Sequence, residues 1–246
     1  MLGVRSSCRR ATKEEAEKPF WISFSDLMTA LMVLFLVVLA AALLSVTAGI
    51  RNDEARQNNR AQQIGSCMAQ VKVYTDTIRG VQLRDHSVDF GTLAKFQNNS
   101  SELNQMQQEF LRRFVPRVLD IARGPACQEW LKQIVVEGFA SRGGTYLHNL
   151  DLSARRSERV LCTLLASGGP PALNEADRSL VENLFFAGGY SFNATRETDE
   201  ESRRIELKLE FYALKEEQEV LLQRKQMPLA FRAHPTGDMT CPIDAR

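Results

Sequence analysis

An uncharged apolar run near the N-terminus constrains this chain more than any other feature of its sequence. Residues 27–46 contain no charged side chain, and about 20 apolar residues suffice for a helix to cross a hydrocarbon core about 30 Å thick. A cleaved signal peptide is the alternative, because VTA at 46–48 is similar to a cleavage site, but the apolar part of such a peptide has only roughly 7–15 residues. We therefore predict one retained transmembrane helix over residues 20–46.

The residues on either side of this run indicate its orientation. Five basic residues precede it and three follow it closely: Arg5, Arg9, Arg10, Lys13 and Lys18, then Arg51, Arg56 and Arg60. Basic residues accumulate on the cytoplasmic side of a membrane helix, which favours a cytoplasmic N-terminus and an exported C-terminal part. Cys8 then stays inside, while Cys67, Cys127, Cys162 and Cys241 are exported.

In an oxidising compartment the four exported cysteines permit two disulfides, with three possible connectivities. A buried free thiol is the alternative for Cys162, which lies on the apolar side of a predicted helix. Neither a CxxC pair nor a Cys/His cluster occurs, so we expect no metal and no cofactor. With 31 Lys and Arg against 30 Asp and Glu, the net charge of +1 gives no general electrostatic reason to expect a nucleic-acid partner.

The rest of the chain predicts an α+β domain preceded by a helical stalk. Residues 51–80 are polar with sparse apolar positions. The predicted elements that follow are a strand and turn at 86–96, a helix at 99–122, a strand at 132–139, helices at 150–167 and 175–186, and a half-buried strand at 203–211. Ser100 or Ser101 can cap the helix at 99–122, and Pro116 must kink or interrupt it. This order implies helices on one face of a sheet.

Five segments follow from these patterns. They are a cytoplasmic tail at 1–19, the transmembrane helix at 20–46, a periplasmic linker or stalk at 47–84, the α+β domain at 85–212, and a C-terminal tail at 213–246, which has no periodic pattern and which we expect to be flexible.

Asp26 is the one ionisable residue between Phe20 and Val46. Placing a carboxylate in a membrane costs on the order of a few kcal/mol, and such residues usually face a protein partner or a water-filled cavity and often relay protons. On a helix Asp26 shares a face with Ile22, Thr29 and Ala30, so the Thr29 hydroxyl could bond the carboxylate or a chain of waters. An interfacial aspartate at the cytoplasmic boundary, without a function, is the alternative.

The stretch SDLMTALMVLFLVVL at 25–39 resembles the membrane helix of MotB-type stator subunits. That resemblance implies that Asp26 is a proton acceptor between a homodimer of MotB-like chains and a pentamer of MotA-like subunits in the bacterial inner membrane. Charged and neutral Asp26 would prefer different partner surfaces, which would couple proton transfer to movement.

The stretch VEGFASRGGTYLHNLDLSARRSERVLCTLL at 136–165 resembles the peptidoglycan-binding signature of OmpA-like domains, GHTDxxGxxxYNxxLSxxRA. Six residues are in register with it: Gly138, Gly144, Asn149, Leu152, Ser153 and Arg156. SRRIEL at 202–207 is similar to the NRRVEI strand of the same family, so the resemblance covers about residues 85–212.

This resemblance implies that Arg156 receives a carboxylate of the wall peptide through its guanidinium fork, with Asn149 and Leu152 around the same pocket. The alternative is that Arg156 pairs with surface acids on its own helix. Ser141 stands where the family has its ligand-binding aspartate, and His148 stands where it usually has tyrosine. We therefore expect weaker wall binding or an altered ligand preference. No nucleophile with an orienting acid surrounds His148, so we predict that the protein is not an enzyme.

Two segments of the chain most resemble the MotB-like stator subunits of Zorya anti-phage defence systems. They are EAEKPFWISFSDLMTALMVLFLVV near the N-terminus and FFAGGYSFNATRETDEESRRIEL in the C-terminal part. Tol and Exb transducers share the aspartate-bearing span but generally lack an OmpA-like domain. The resemblance implies a peptidoglycan-anchored, proton-driven stator component with a ZorA pentamer as partner, single-pass in the inner membrane, its C-terminal domain periplasmic. A flagellar MotB-type stator subunit and a plain cell-wall anchor remain the alternatives.

Overall fold

The computed structural model describes residues 14–166, 171–214, 216 and 241–245. The chain divides between Arg56 and Gln57 into two compact units. The first helix, α1 (Glu14–Asp76), contributes residues to both.

In the N-terminal unit, α1 is helical from Glu14 through the whole apolar run. Among the described helices it alone is long and apolar enough to cross a membrane, and none of its most apolar stretch is buried in the protein. The large apolar side chains from Leu27 to Leu44 are about half exposed or more. A surface of this kind requires lipid or protein around it.

The C-terminal unit is an α+β fold with one mixed sheet, as predicted. After α1 it contains β1 (Gln82–Arg84), β2 (Ser87–Asp89), a 3-10 turn (Gly91–Ala94), α2 (Gln105–Arg123), α3 (Pro125–Gln128), β3 (Leu131–Gly138), α4 (Tyr146–Leu165), α5 (Glu175–Leu184), β4 (Phe185–Gly189), α6 (Asp199–Ser202), β5 (Ile205–Phe211) and a 3-10 turn (Pro242–Ala245).

The five strands lie in the order β1-β2-β5-β3-β4. Only β3 and β4 pair in parallel, and α4 lies in the crossover between them; the other three pairings are antiparallel. In β5 the strict apolar alternation places Ile205, Leu207 and Leu209 in the core. Val160 and Leu164 of α4 belong to the same buried cluster, and α4 packs on the neighbouring strands β3 and β4.

The packed unit extends further toward the N-terminus than residue 85, where the sequence placed the start of the domain. Ile64, Cys67, Met68 and Val71 of α1 are buried in the same core, and the Tyr74 ring stacks on Phe114 at 5.0 Å. These apolar positions recur at helical spacing, so they form a stripe that α2 and α3 can cover.

Local chemistry also shifts two predicted helix starts. α2 begins at Gln105, because Asn104 accepts from the Gln107 N–H and the Gln107 side chain accepts from the Asn104 N–H, each at 2.9 Å. This capping box replaces the predicted serine cap. The helix α2 continues through Pro116, so the predicted interruption there does not occur. α4 begins at Tyr146 instead of 150, with Thr145 as its cap.

The structure selects one of the three disulfide connectivities: Cys67 bonds Cys127, and Cys162 bonds Cys241. The first joins α1 to α3, and the second joins α4 to the residue before the last 3-10 turn. The free-thiol alternative for Cys162 is therefore wrong. The prediction of a flexible C-terminal tail covers residues 213–246, of which 215, 217–240 and 246 lie outside the described residues, as do residues 1–13 of the predicted N-terminal tail.

Candidate functional sites

Asp26 opens a shallow groove along one side of α1, about 570 Å³ in volume. Six further residues line it, at the spacing of a single helix face: Thr29, Ala30, Val33, Leu34, Val37 and Val38. The Thr29 hydroxyl donates to the backbone carbonyl of Asp26 at 2.9 Å rather than to its carboxylate, as threonines in helices commonly do. The side chain of Ile22, predicted on the same face, lies outside the described residues.

No described residue donates a hydrogen bond to the Asp26 carboxylate, and no described cation pairs with it. A carboxylate without a partner beside an apolar face is expensive to hold charged in a membrane. The arrangement can therefore accept a proton, or bind a donor supplied by another chain or by water.

Arg156 is fully buried, with 0% of its surface exposed. Its guanidinium donates to three backbone carbonyls: Nε to Ser100 at 3.0 Å, Nη1 to Phe139 at 2.7 Å and Nη2 to Gln97 at 3.1 Å. Its charge also lies 5.0 Å from the centre of the Phe96 ring. The sequence offered surface acids as the alternative partners, but the observed partners are carbonyls.

Burial, and to a smaller extent the charge of Arg203, lower the pKa of Arg156 to about 10. The guanidinium stays charged at neutral pH, because that value lies well above 7. In this conformation Arg156 holds the segment 97–100 against the end of β3, at the place where the family resemblance implies a ligand carboxylate.

Of the other four predicted wall-binding residues, His148 and Asn149 hold neighbouring loops together. Asn149, 3% exposed, donates from Nδ2 to the carbonyls of Gly143 at 2.7 Å and Thr145 at 3.2 Å. The exposed His148 ring lies 2.8 Å from the Asn99 side chain through Nε2. Leu152 is half-buried, and Ser141 is 8% exposed.

Small residues allow α4 to approach the sheet closely. Two of them, Gly138 and Ser153, belong to the signature, and a third, Gly189, lies at the end of β4. A Cβ atom on Gly138 would lie 2.0 Å from the Ser153 carbonyl oxygen, and one on Gly189 would lie 2.7 Å from the Ala154 nitrogen. The Ser153 hydroxyl donates to the Leu150 carbonyl at 2.8 Å and accepts from the Ser191 N–H at 2.9 Å. Several signature residues thus serve packing.

A second groove, here called the polar groove, lies beside Ser141 and was not predicted from the sequence. It measures about 760 Å³ and is lined by Gly80, Gln82, Arg84, Asp89, Gly91, Thr92, Lys95, Arg142, Thr195, Arg196, Glu197, Glu200 and Glu201. Its residues come from segments up to 121 positions apart, Gly80 to Glu201, so no local pattern could have shown it.

Ion pairs fix one wall of the polar groove. Arg196 Nη2 lies 3.1 Å from Asp89 and 2.9 Å from Glu206, and the buried Arg204 lies 2.7 Å from the same Glu206 carboxylate. These bonds account for the burial of Glu206, a charged residue that alternates with the apolar core residues of β5. Lys95 pairs with Glu200, and both residues line the groove.

Comparison with known proteins finds a family model, a curated relative and solved structures that are similar to this chain. The family model described as "Membrane MotB of proton-channel complex MotA/MotB" matches residues 5–47. The chain is 41% identical over 224 residues to Zorya protein ZorB of Escherichia coli O139:H28, covering 89% of this chain and 91% of that protein.

Among solved structures, the periplasmic domain of Helicobacter pylori MotB is similar, with 17% identity, coverage of 60% of this chain and 92% of that one, and a TM-score of 0.39. The OmpA-like domain of FopA1 from Francisella tularensis has 20% identity, coverage of 54% and 82%, and a TM-score of 0.36. The ZorB match extends over nearly the whole of both chains, and it confirms the resemblance to the Zorya subunits. This chain belongs to the ZorB family of Zorya proteins.

Proposed function

We propose that this chain is the peptidoglycan-anchored stator subunit of a proton-driven inner-membrane motor in anti-phage defence. Asp26 relays protons, with the Thr29 hydroxyl beside it, at the interface between a homodimer of this chain and a pentamer of the MotA-like ZorA. The observation that carries the proposal is the isolation of Asp26, since no other ionisable residue occurs between Lys18 and Arg51.

The chemistry of the groove supports this role. A neutral Asp26 leaves the face formed by Ala30, Val33 and Val37 uniformly apolar, whereas a charged one requires a polar or cationic partner surface. Each protonation step therefore changes which surface of the pentamer is preferred. A chain bound to the rigid wall resists the resulting torque, so the pentamer turns.

The disulfides support a periplasmic C-terminal unit with the N-terminus in the cytoplasm. Cys67–Cys127 and Cys162–Cys241 both belong to that unit, and disulfides persist in oxidising compartments such as the bacterial periplasm. The basic residues before the apolar run favour the same orientation.

The test is an Asp26→Asn variant in cells that carry the complete defence operon, challenged with phage. The change removes the titratable group and little volume, so we expect normal membrane insertion and loss of protection. Asp53→Asn is the matched control, because it makes the same substitution on the same helix outside the apolar run. Full protection by the Asp26→Asn protein would leave a wall anchor without a proton relay.

Wall binding is tested separately, by sedimentation of the detergent-solubilised full-length protein with purified peptidoglycan sacculi. We expect the wild-type protein to sediment with sacculi and to remain soluble without them. Equal recovery in both samples would remove the anchor from the proposal.

A further inference from the structure

The two disulfides of the C-terminal unit lie in different surroundings. Cys67 and Cys127 are both 0% exposed and belong to the hydrophobic core. Cys162 and Cys241 both keep part of their surface exposed, and neither belongs to that core. A dissolved thiol can therefore reach the Cys162–Cys241 bond in the folded protein, whereas the Cys67–Cys127 bond becomes accessible only when the core opens.

A cation lies beside the accessible bond. Arg159, on α4 one turn before Cys162, places Nη1 4.0 Å from the Cys241 sulfur. Its Nη2 lies 2.6 Å from the Glu102 carboxylate, whose side chain is 66% exposed against 11% for Arg159. Solvent screens the exposed carboxylate more than it screens the nearly buried guanidinium, so the surroundings of the Cys241 sulfur favour a negative charge.

This positive charge favours one direction of bond cleavage. When a thiolate attacks a disulfide, one sulfur bonds to the attacker and the other leaves as a thiolate, and the sulfur that forms the more stable thiolate leaves faster. A neighbouring arginine stabilises a cysteine thiolate. Attack on the Cys162 sulfur, with Cys241 as the leaving thiolate, is therefore the favoured direction.

We infer that the Cys162–Cys241 bond is a thiol–disulfide exchange site for a protein dithiol of the Cys-x-x-Cys class. A thiolate of the dithiol attacks the Cys162 sulfur, the Cys162–Cys241 bond breaks, and Cys241 leaves as a thiolate beside Arg159. The second thiolate of the dithiol then attacks the dithiol's own sulfur in the mixed disulfide and releases Cys162. Two electrons pass to this chain and each of its two cysteines takes up one proton from water, while the dithiol, having lost its two protons to water, becomes a disulfide.

Exchange at this site releases one segment without opening the core. The bond joins α4 to the residue before the 3-10 turn at Pro242–Ala245, and that turn contacts α4. The Cys67–Cys127 bond, which joins α1 to α3, is untouched. The C-terminal unit keeps its fold, while the redox state of a surface bond decides whether residues 241–245 are held covalently on α4. This inference is independent of the proposed wall binding and proton relay.

The experiment incubates the folded full-length protein in detergent with dithiothreitol as the dithiol, blocks free thiols with iodoacetamide at successive times, and locates the label by peptide mass spectrometry. We expect Cys162 and Cys241 to be labelled together, at least about 10-fold faster than Cys67 and Cys127, because reduction of a buried bond first requires an opening of the core. Equal rates for the two bonds, or faster reduction of the buried one, would overturn the inference.

Two variants test the contribution of Arg159. In Arg159→Gln the exchange rate should fall about threefold, the response to a roughly tenfold change in the acidity of the leaving thiol at a Brønsted coefficient of about 0.5. In Glu102→Gln, which removes the opposing carboxylate, the rate should rise; Glu102 is exposed, so this variant tests the charge even where Arg159→Gln alters the fold. Arg155→Gln is the matched control, because this arginine lies on the same helix and pairs with Asp151 at 2.8 Å, and its rate should equal that of wild type. Exchange at the wild-type rate in both Arg159→Gln and Glu102→Gln proteins of normal melting temperature would overturn the role of Arg159.

Discussion

Arg156 illustrates how a single buried charge can organise two distant segments. Its three carbonyl partners belong to residues 56–59 positions upstream and 17 positions upstream. Lysine could not reproduce this arrangement, because an ammonium lacks the planar fork that reaches three acceptors in fixed directions. The cost of burying the guanidinium is offset by these bonds and by the Phe96 ring.

Replacing Arg156 with alanine should destabilise the C-terminal unit by about 3 kcal/mol or more, because it orphans three carbonyls at about 1–3 kcal/mol each. Thermal unfolding of the full-length protein measures the loss. Arg155→Ala is the control, since Arg155 is the preceding residue on α4, is only half-buried and pairs with Asp151 at 2.8 Å; surface pairs contribute about 0–1 kcal/mol. Similar melting of both variants would contradict a structural role for Arg156.

The alignment with the family signature singled out Arg156 and Asn149, but it could not show which atoms of the protein they contact. Their partners, the carbonyls of Gln97, Ser100 and Gly143, are backbone atoms in loops, and a sequence pattern carries no information about which loop carbonyl faces a given side chain. Asp26 is easier to single out, because a charge in an apolar run stands out without tertiary contacts, and its role as a proton relay stays a prediction. The polar groove was not predicted because its lining residues come from remote segments.

At the scale of secondary-structure elements, the sequence predicted the strands whose apolar residues follow a regular pattern. The alternation of β5 and the apolar run of β3 predicted both strands to within two residues at each end, since side-chain period is set by local geometry. The stalk was assigned less well. Sparse apolar residues between 57 and 76 resembled a linker, because burial of that stripe depends on α2, α3 and a disulfide that the sequence left undetermined.

Gly138→Ala should separate α4 from β3. The new Cβ would meet the Ser153 backbone oxygen at 2.0 Å, and backbone cannot yield as a flexible side chain can. Overpacking typically costs about 1–3 kcal/mol, and we expect the upper end of that range. Gly143→Ala is the matched control, because a Cβ there meets nothing within 4 Å. Equal melting temperatures for the two variants would contradict close packing between α4 and the sheet.

The Cys67–Cys127 bond should be a principal link between α1 and the rest of the C-terminal unit. It closes a sequence separation of 60 residues, for which loop-closure entropy predicts about 4 kcal/mol of stabilisation. Both sulfurs are fully buried, so the double Cys67→Ala/Cys127→Ala variant also loses packing. Fluorescence of the buried Trp130 follows its unfolding, and Cys8→Ala, which leaves both disulfides intact, should melt like wild type. Unfolding of the double variant at the wild-type temperature would show that the link is dispensable.

For the whole molecule, the two proposed activities lie in two units of one chain, and each is testable without the other. Asp26 belongs to the N-terminal unit, and the signature belongs to the C-terminal unit. A chain that binds the wall but lacks the Asp26 carboxylate would stay anchored without responding to protons. A chain that relays protons but does not bind the wall could not resist the torque on the pentamer. Separate loss of either should therefore abolish phage protection while leaving the other activity measurable.

The proposed homodimer makes a quantitative prediction for mixed populations of this chain. If a motor needs Asp26 in both copies, co-expressing equal amounts of wild-type and Asp26→Asn protein leaves about a quarter of randomly paired dimers fully wild type. We expect the number of active motors, and with it phage protection, to fall well below half, and to fall further as the square of the wild-type fraction when the ratio is varied. Co-expression with Asp53→Asn should leave protection unchanged. A linear fall with the wild-type fraction would indicate that one Asp26 per motor suffices, or that the chain acts alone.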